Sequence, residues 1–330
     1  MKALVHTEPL VIEYRDSPMP VRSAPDDVII KVRAIGICGS DVHGFTGKTG
    51  RRIPPIIMGH EVSGEIFEVG ENSKFKVCDR VVVDSTIFCG NCDFCKLGSV
   101  NLCINRRVLG VSCDTYKQDG AMAEYFVVPE RIIYKLPDNV DFNSAVLIEP
   151  ASVAFHAVSL VKISPESKVL VVGAGVIGLY IIQALRIRGL NKIAVLDTNP
   201  KRLEIAKSYG ADYNLAPEEE VDLSFEAVGL SETVSFAINK VKKSGQIVLV
   251  GNVSPTVSLP LQNVVTGEKT IIGACASAGE YPEVIKNFSA GRLDTKLLIT
   301  KVAPLSEGEK WFKELLEKGG SHVKIVLTNE

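Results

Sequence analysis

The sequence has little excess charge of either sign. Its 330 residues carry 37 basic and 39 acidic side chains, which leaves a formal net charge of -2 at pH 7. A protein that binds a phosphate backbone needs a surplus of Lys and Arg on one face. We therefore expect no nucleic-acid partner.

Long apolar runs and an export signal are also missing. The most membrane-like segment, VLVVGAGVIGLYIIQAL, contains three glycines and is shorter than the ~20 residues of a membrane span. Glu8 and Glu13 fall where an export signal needs an uninterrupted apolar stretch. We expect a cytoplasmic protein with no membrane partner. Its 330 residues predict two domains, because they exceed what one hydrophobic core usually serves.

Cysteine, by contrast, is concentrated in one loop. Four of the eight cysteines lie in CGNCDFCKLGSVNLC, as Cys89, Cys92, Cys95 and Cys103. A disulfide framework, an iron–sulfur cluster and a zinc site all compete for them. Reducing cytosol disfavours disulfides, and the bacterial ferredoxin run ends in a shorter gap followed by proline, whereas Ile104 follows here. We interpret the C-x2-C-x2-C-x7-C spacing as a closed, structural zinc site.

A second group of possible metal ligands lies outside this loop. Cys38 stands in AIGICGSDVHGF, His60 and Glu61 stand in IIMGHEVSG, and Glu149 stands in LIEPASVAFHAV. One thiolate, one imidazole and one carboxylate suit a catalytic zinc that keeps a position open for substrate. Taken singly, the same residues also fit a core cysteine and a surface His-Glu pair. The residues alone leave both interpretations open.

The glycine-containing apolar run is typical of a dinucleotide-binding turn. KVLVV predicts a buried parallel strand and VIGLYIIQALRIRG predicts the following helix. Between them, Gly173, Gly175 and Gly178 fit G-x-G-x-x-G, in which the glycines permit a tight turn, admit a pyrophosphate and pack helix on strand. Val176 and Ile177 open the helix, whose N-terminus attracts phosphate, so we count them among the cofactor-binding residues.

A carboxylate at the end of the next strand, KIAVLD, indicates which dinucleotide is bound. Asp197 lies close to the ~20 residues beyond the glycines at which the adenosine ribose is held. It would repel a 2′-phosphate, so we predict NAD, although Lys201 and Arg202 could soften that discrimination. The alternative is a turn residue before residues 198–200.

Further strands in FEAVG and QIVLVG, with helices between them, continue the alternation of a doubly wound α/β sheet. This unit ends near residue 274. Beyond it we predict helices around PEVIKNFSAG and GEKWFKELLEKGG, with Trp311 in the helix core, and a last strand VKIVLT.

These segments together resemble the zinc-dependent medium-chain dehydrogenases, in particular the sorbitol and polyol branch. The resemblance is carried, in order along nearly all of the chain, by CGSDVH, GHEVSGEIFEVG, the four-cysteine loop, DGAMAEYFVVP and IEPASVAFHAV. It implies a β-rich, GroES-like catalytic domain over residues 1–151 and 275–330, and a Rossmann domain over residues 152–274. It also implies a homodimer or homotetramer.

The same resemblance assigns roles at the second metal group. It implies that Cys38, His60 and Glu61 are the catalytic zinc ligands, so that the chain holds two zinc ions. Glu149 is then an outer or exchanging ligand, as in the polyol branch. Which of Glu61 and Glu149 is the resting ligand stays open.

The resemblance also implies an activity and a path for the proton. Zinc lowers the pKa of a polyol hydroxyl, and the carbinol hydride passes to NAD to give a ketone. Ser40 and His43, in the C-x-S-x-x-H spacing, would relay the hydroxyl proton. The alternatives are a turn hydroxyl for Ser40 and a surface imidazole for His43.

Two departures from the family pattern are visible. Cys78 stands in CDRV where the family reads GDRV, which puts a tight turn in doubt. Residues 214–228 are short for a segment that usually carries an extra helix. We expect this shortening to alter oligomer contacts and to leave the cofactor motif untouched.

Basic residues crowd the loop between the relay histidine and the zinc histidine. They are Lys48, Arg51 and Arg52, and Arg106 and Arg107 follow the four-cysteine loop. We hypothesise that these cations favour an anionic polyol derivative, such as a sugar acid or sugar phosphate. The alternative is a solvated basic face.

Two other functions compete with a dehydrogenase. A four-cysteine zinc module that binds protein or nucleic acid would need no dinucleotide unit. A zinc hydrolase would need neither GAGVIG nor Asp197.

Overall fold

The computed structural model of the chain describes residues 1–317 and 322–329. It divides into two compact units, one formed by Met1–Glu149 together with the chain from Tyr281 onward, and one formed by Pro150–Glu280. Among the described residues, no helix combines the length and the apolar character that crossing a bilayer requires.

The elements of the first stretch are mostly short strands. In chain order they are β1 (Lys2–Glu8), β2 (Val11–Asp16), β3 (Asp27–Gly36), α1 (Gly39–Phe45), β4 (Ile56–Ile57), β5 (Glu61–Glu68), β6 (Arg80–Val83), β7 (Thr86–Ile87), α2 (Asp93–Lys96), β8 (Arg107–Val108), β9 (Val111–Cys113), β10 (Tyr116–Gln118), β11 (Tyr125–Pro129), β12 (Ile133–Lys135) and α3 (Phe142–Ala145).

The remaining elements alternate between helix and strand. They are α4 (Ile148–Ser159), β13 (Lys168–Val172), α5 (Val176–Ile187), β14 (Lys192–Leu196), α6 (Pro200–Ser208), β15 (Val221–Glu226), α7 (Ser231–Lys240), β16 (Val241–Leu249), α8 (Leu261–Thr266), β17 (Thr270–Gly273), α9 (Tyr281–Ser289), β18 (Ile299–Pro304), α10 (Gly308–Glu317) and β19 (Lys324–Thr328).

The first unit is built around β3, whose residues are buried on both faces for much of its length. β3 pairs antiparallel with β5, β11 and β19, in a sheet ordered β12-β6-β5-β3-β19-β18. Because apolar side chains alternate across a strand, β3 can contribute to the core from both faces. The predicted burial of Trp311 in a helix is confirmed, since it packs into this core from α10.

The second unit is a parallel sheet with the order β14-β13-β15-β16-β17 and intervening helices. The predicted doubly wound sheet is confirmed, with KVLVV as β13, KIAVL as β14 and VIGLYIIQALRI as α5. β13 lies between β14 and β15 and is buried, which explains its unbroken run of apolar residues.

The short segment noted in the sequence has a structural counterpart. Between α6 and β15, residues 211–220 run as coil and turn, so β14 stands at the edge of the sheet. The Tyr213 N–H donates to the carbonyl of Ile193 at 3.1 Å. The Lys168 ammonium and the Tyr213 hydroxyl both donate to the Glu219 carboxylate. These bonds hold the short connection against the sheet.

Local geometry bears on three further expectations from the sequence. Cys78 adopts φ 71°, so the turn persists with a side chain in the left-handed region that favours glycine. The described part of the last helix, α10, reaches Glu317, and residues 318–320 of its predicted range lie outside the described residues. Residues 275–280 stay with the second unit, where Glu280 Oε1 lies 2.8 Å from His156 Nδ1.

Candidate active site and metal centres

The four-cysteine loop closes around one point. The sulfurs of Cys89, Cys92, Cys95 and Cys103 all lie within 4.8 Å of one another. Cys92 caps the N-terminus of α2, and Gly90 adopts φ 78° in the turn before it. The Sγ atoms of Cys92 and Cys95 are 3.5 Å apart. A closed tetrahedral zinc site requires this convergence of four sulfur ligands.

The electrostatics of the loop also fit a metal ion. Backbone N–H groups of Asn91 and Cys92 lower the pKa of Cys89 to about 6. Burial raises the pKa of Cys95 to about 12, and the neighbouring sulfur of Cys92 adds to this effect. Thiolates packed this closely repel one another, and a divalent cation between them relieves that repulsion.

Strand register assembles the second metal group. Gly36, the last residue of β3, pairs with Glu61, the first residue of β5. Cys38 follows β3 and caps the N-terminus of α1, while His60 directly precedes β5. Their side chains therefore meet at one edge of the sheet. The ligand atoms of Cys38, His60 and Glu61 lie within 4.8 Å of one another.

A buried carboxylate lies beside the imidazole of this group. Asp41 Oδ1 lies 3.5 Å from His60 Nδ1, which leaves the other ring nitrogen for a metal. Burial opposes the charged form of Asp41, but His60 and the Arg52 guanidinium outweigh it and hold its pKa far below the usual range. Burial likewise opposes a charged His60, but Asp41 and Cys38 raise its pKa well above its usual value. The group therefore favours positive charge, as a metal site must.

Two further charged residues border the group. Glu149 is buried and accepts a hydrogen bond from the Ser85 hydroxyl at 2.7 Å. Burial raises its pKa, with His60 opposing that shift. Lys324 is also buried and donates to Glu61 Oε1 at 2.8 Å and to Oε2 at 2.5 Å. Burial opposes its charge, but Glu61 raises the pKa of Lys324 above its usual value.

Arg52, which the sequence suggested as a cation for an anionic substrate, is buried and paired within the protein. Its side chain is buried and pairs with Asp41 through Nη2 at 2.9 Å and Nε at 3.3 Å. Nη1 donates to the carbonyl of Arg51 at 3.0 Å. A β-carbon at Gly44 would stand 2.1 Å from Arg52 Cγ, so the glycine makes room for this path. The guanidinium is committed to a protein carboxylate rather than to an anionic substrate.

The other basic residues have different surroundings. Lys48, Arg51 and Arg107 are exposed, whereas Arg106 is half-buried and donates to the carbonyl of Asn101 at 3.0 Å. Lys48 and Arg51 therefore keep the exposure that the anion hypothesis needs.

The proposed relay residues lie on α1. Ser40 and His43 are three positions apart, which places them on the same face of the helix. Both are exposed, and Arg52 Nη2 lies 3.5 Å from Ser40 Oγ. Ser40 is two residues from Cys38 along the chain, and its hydroxyl contacts Arg52, which pairs with Asp41 beside His60.

The glycine turn of the second unit has the shape of a pyrophosphate cradle. Gly173 adopts φ 97°, and a β-carbon at Gly178 would stand 1.8 Å from the Gly173 carbonyl oxygen. In the described part of the chain, a β-carbon at Gly175 would meet no atom within 4 Å. Gly175 caps α5, whose first residues are Val176 and Ile177. The open space at this N-terminus fits a dinucleotide phosphate.

The acidic residue of this unit is fixed beside the glycine turn. Asp197 follows β14 and accepts from the N–H groups of Ala174 at 2.7 Å and Asn199 at 2.8 Å. Lys201 is exposed and Arg202 is half-buried, both in the first turn of α6. The carboxylate is therefore held rigidly at the carboxyl end of the strand, where this fold binds ribose.

Sequence reasoning missed Asp41 and Lys324 as parts of the metal group. Asp41 carried a signal, since it stands in CGSD three residues after Cys38 and caps the same helix. Lys324 carried none, because it is separated from Glu61 by 263 residues.

Comparisons with known proteins agree with this geometry. Residues 24–138 match the family described as alcohol dehydrogenase GroES-like domain, and residues 176–290 match the family described as zinc-binding dehydrogenase. The chain is 33% identical over 346 residues to sorbitol dehydrogenase of Bacillus subtilis, covering 99% of this chain and 97% of that protein.

Two other proteins extend the likeness. L-idonate 5-dehydrogenase of Vitis vinifera is 34% identical over 328 residues, covering 92% of this chain and 88% of its own length. A crystal structure of an Escherichia coli alcohol dehydrogenase complexed with NADH has a TM-score of 0.91 and 30% identity, covering 100% of this chain and 99% of that chain.

Proposed function

The chain belongs to the zinc-dependent alcohol and polyol dehydrogenases, and on that premise we propose that it oxidises a secondary alcohol of a polyol or polyol derivative to the ketone, with NAD as hydride acceptor. It is an enzyme of the EC 1.1.1 type. The observation that carries the proposal is the convergence of one sulfur, one imidazole and one carboxylate at Cys38, His60 and Glu61. Three protein ligands leave a position for substrate, as a catalytic zinc site requires.

The two metal groups have different duties. Cys89, Cys92, Cys95 and Cys103 would hold a structural zinc, because four protein ligands leave no position for substrate. Cys38, His60 and Glu61 would hold the second zinc. The Glu149 carboxyl interacts electrostatically with His60 and Glu61, which supports its role as an outer or exchanging ligand. When bound, this zinc supplies Lewis acidity and NAD supplies the hydride acceptor.

The residues of α1 provide the path for the proton. The Ser40 hydroxyl accepts the proton of the substrate alcohol and donates its own proton toward His43. His43 is exposed and releases the proton to water. The spacing along one helix face and the short link from Ser40 to Cys38 support this order.

The second unit would bind NAD through its glycine turn and Asp197. Hydrogen bonds from the backbone N–H groups of Ala174 and Asn199 fix the Asp197 carboxylate, so it cannot swing away from a 2′-phosphate. Its negative charge therefore supports NAD over NADP. Arg202 and Lys201 are near enough in sequence to modulate this preference.

We propose that the preferred substrate carries an anionic group. Lys48 and Arg51 are exposed on the loop between His43 and His60, and one similar protein is named for a sugar acid, L-idonate. The test is a spectrophotometric screen for NADH formation with polyols, sugar acids and sugar phosphates. We expect an anionic substrate to exceed every neutral polyol by about tenfold in kcat/KM, the value of one charge-assisted hydrogen bond. A neutral polyol that outperforms every anion would refute this substrate assignment.

The same screen tests the enzyme class. We expect at least one polyol-type alcohol in the screen to support the reduction of NAD to NADH. If purified protein with a full zinc complement reduces neither NAD nor NADP with any substrate, a binding module of four-cysteine type becomes the better account. That rival leaves the second metal group and the dinucleotide turn without a purpose.

We also propose a cytoplasmic homodimer or homotetramer. The edge strand β17 and the neighbouring exposed side chains of Leu259, Leu261 and Val265 support self-association. Cysteines assigned to zinc sites rather than to disulfides support a reducing compartment. Light scattering coupled to size exclusion measures the assembly, and a strictly monomeric mass contradicts it.

A further inference from the structure

Lys324 has an unusual position for a lysine. Its side chain is only 3% exposed, and its ammonium contacts both oxygens of Glu61, at 2.8 and 2.5 Å, and the carbonyl of Ile37 at 3.0 Å. A buried ammonium is costly unless its charge is compensated. Glu61 is itself 1% exposed, so each of the two charges depends on the other within the protein.

The backbone fixes this contact. β19 pairs with β3 so that Val326 lies opposite Gly36, and the Ile37 N–H donates to the carbonyl of Ile325 at 3.0 Å. A β-carbon at Gly36 would stand 2.2 Å from Glu61 Oε2. The carboxylate therefore has one narrow space, with Lys324 on it and with the Cys38 and His60 ligand atoms within 4.8 Å of its own.

Lys324 is one cationic partner of Glu61, and a zinc ion at this group would be a second. An ammonium that donates to both oxygens of a carboxylate occupies lone pairs that a metal also uses, and it repels a divalent ion placed beside the same group. Without a metal, Lys324 donates to both oxygens of Glu61 and compensates its charge. With a metal bound, the Glu61 carboxylate would contact the Lys324 ammonium and the metal ion at the same time.

We propose that Lys324 and zinc compete for the Glu61 carboxylate, so that Lys324 is a positioning residue which lowers the metal affinity of the Cys38, His60 and Glu61 group. The inference rests on the proposed function, because it requires a metal at that group. Lys324 holds Glu61 in place when the metal is absent and keeps its bond to the metal weak when the metal is present. A weakly held carboxylate can exchange with Glu149 or substrate.

The inference predicts that removing the Lys324 charge lowers the stability of the metal-free protein but raises its affinity for zinc. Lys324→Met leaves Glu61 buried without its partner, so the metal-free protein loses thermal stability. Zinc then becomes the sole counter-charge, and its affinity for this group rises at least about tenfold, as expected for the loss of one charged competitor. Lys324→Arg keeps a positive charge beside Glu61, so its zinc affinity is expected to stay below that of Lys324→Met.

A matched control separates competition from general destabilisation. Lys269 is also buried, at 8% exposure, and donates to the carbonyl of Ile238 at 2.9 Å in the second unit. Lys269→Met is expected to lower the Tm by the same amount with and without zinc. Its zinc affinity is expected to equal that of the wild type.

The measurement is competition between the full-length protein and a chromogenic chelator for Zn²⁺, together with the Tm of metal-free and zinc-loaded samples. Because Lys324→Met alone could fail to fold, it is also made with Glu61→Gln, which removes the uncompensated buried charge. In that background the affinity is expected to be independent of Lys324. An unchanged or lower zinc affinity in Lys324→Met overturns the competition. So does an effect of Lys324→Met that is equally large with and without the Glu61→Gln substitution.

Failure of this inference is distinguishable from failure of the proposed function. If Cys38→Ser leaves the zinc content at the wild-type value, no metal binds that group and the proposed function fails with the inference. If Cys38→Ser removes one zinc while Lys324→Met leaves the affinity unchanged, only the inference fails.

Discussion

The guanidinium of Arg52 and the carboxylate of Asp41 form a buried ion pair, with Nη2 and Oδ1 2.9 Å apart and side-chain exposures of 5% and 0%. Asp41 in turn faces His60 at 3.5 Å. Arg52 therefore supports the carboxylate that faces the metal ligand His60. The sequence had suggested this guanidinium for substrate binding, but it pairs with a carboxylate of the protein.

This pair predicts different outcomes at neighbouring arginines. Arg52→Ala leaves the buried Asp41 carboxylate without its guanidinium partner, so it should lower the free energy of unfolding by about 3–5 kcal/mol. Arg51→Ala, on an exposed side chain, should change it by less than about 0.5 kcal/mol and should instead raise KM for an anionic substrate. Urea denaturation and steady-state kinetics check both. Equal stability of the two variants would contradict the buried-pair assignment.

The two metal groups predict two zinc ions per chain with separable effects. Elemental analysis is expected to find two in the wild type and one in Cys38→Ser, with nearly unchanged Tm in the latter. Cys92→Ser should lower the Tm, because binding at a closed site is coupled to folding. A single zinc that survives Cys38→Ser would remove the catalytic metal from this account.

The glycine turn offers two substitutions with different expected effects, one on stability and one on cofactor binding. At Gly178 an added β-carbon meets the Gly173 carbonyl oxygen, so Gly178→Ala should cost about 1–3 kcal/mol of stability. Gly175→Val should leave the Tm unchanged but weaken NADH binding, because its side chain fills the cradle. Fluorescence titration with NADH measures the second effect. Normal NADH affinity in a folded Gly175→Val protein would place the cofactor elsewhere.

The fixed carboxylate of Asp197 predicts cofactor preference. The wild type should use NAD in preference to NADP, and Asp197→Ser should narrow the ratio of kcat/KM values by at least about tenfold, or ~1.4 kcal/mol. Comparing the two cofactors at saturating alcohol gives the ratio. Equal efficiency of the wild type with both would mean that Lys201 and Arg202 dominate the site.

The short connection before β15 predicts an acid-sensitive contact. Donation from Lys168 and Tyr213 lowers the pKa of Glu219 from 4.5 to about 2. A depressed carboxyl pKa stabilises the fold above the unfolded value, and this contribution disappears as pH falls from about 4.5 to about 2. Glu219→Gln should therefore be less stable than wild type at pH 7, with the difference shrinking below about pH 4.5. Exposed Glu218→Gln is the control, and a difference that stays constant with pH would exclude the ion pair as its cause.

The features that the sequence alone predicted are those formed by residues close together along the chain. The four sulfur ligands fall within fifteen residues of CGNCDFCKLGSVNLC, and short tight turns suffice to converge them. The strand, glycine turn and helix from Lys168 to Ile187 are also contiguous, so hydrophobic periodicity and glycine spacing predicted them. The ligand types at Cys38, His60 and Glu61 were visible, but their convergence came from family resemblance.

The tertiary structure decided which charges meet. Nothing in the sequence near Arg52 distinguishes it from exposed Arg51, because burial depends on the space beside Gly44 and on the position of Asp41. Lys324 reaches Glu61 across 263 residues only because β19 and β5 both pair with β3. Strand pairing at such separation is set by the packing of the whole unit, whereas residue spacing reports only on neighbours along the chain.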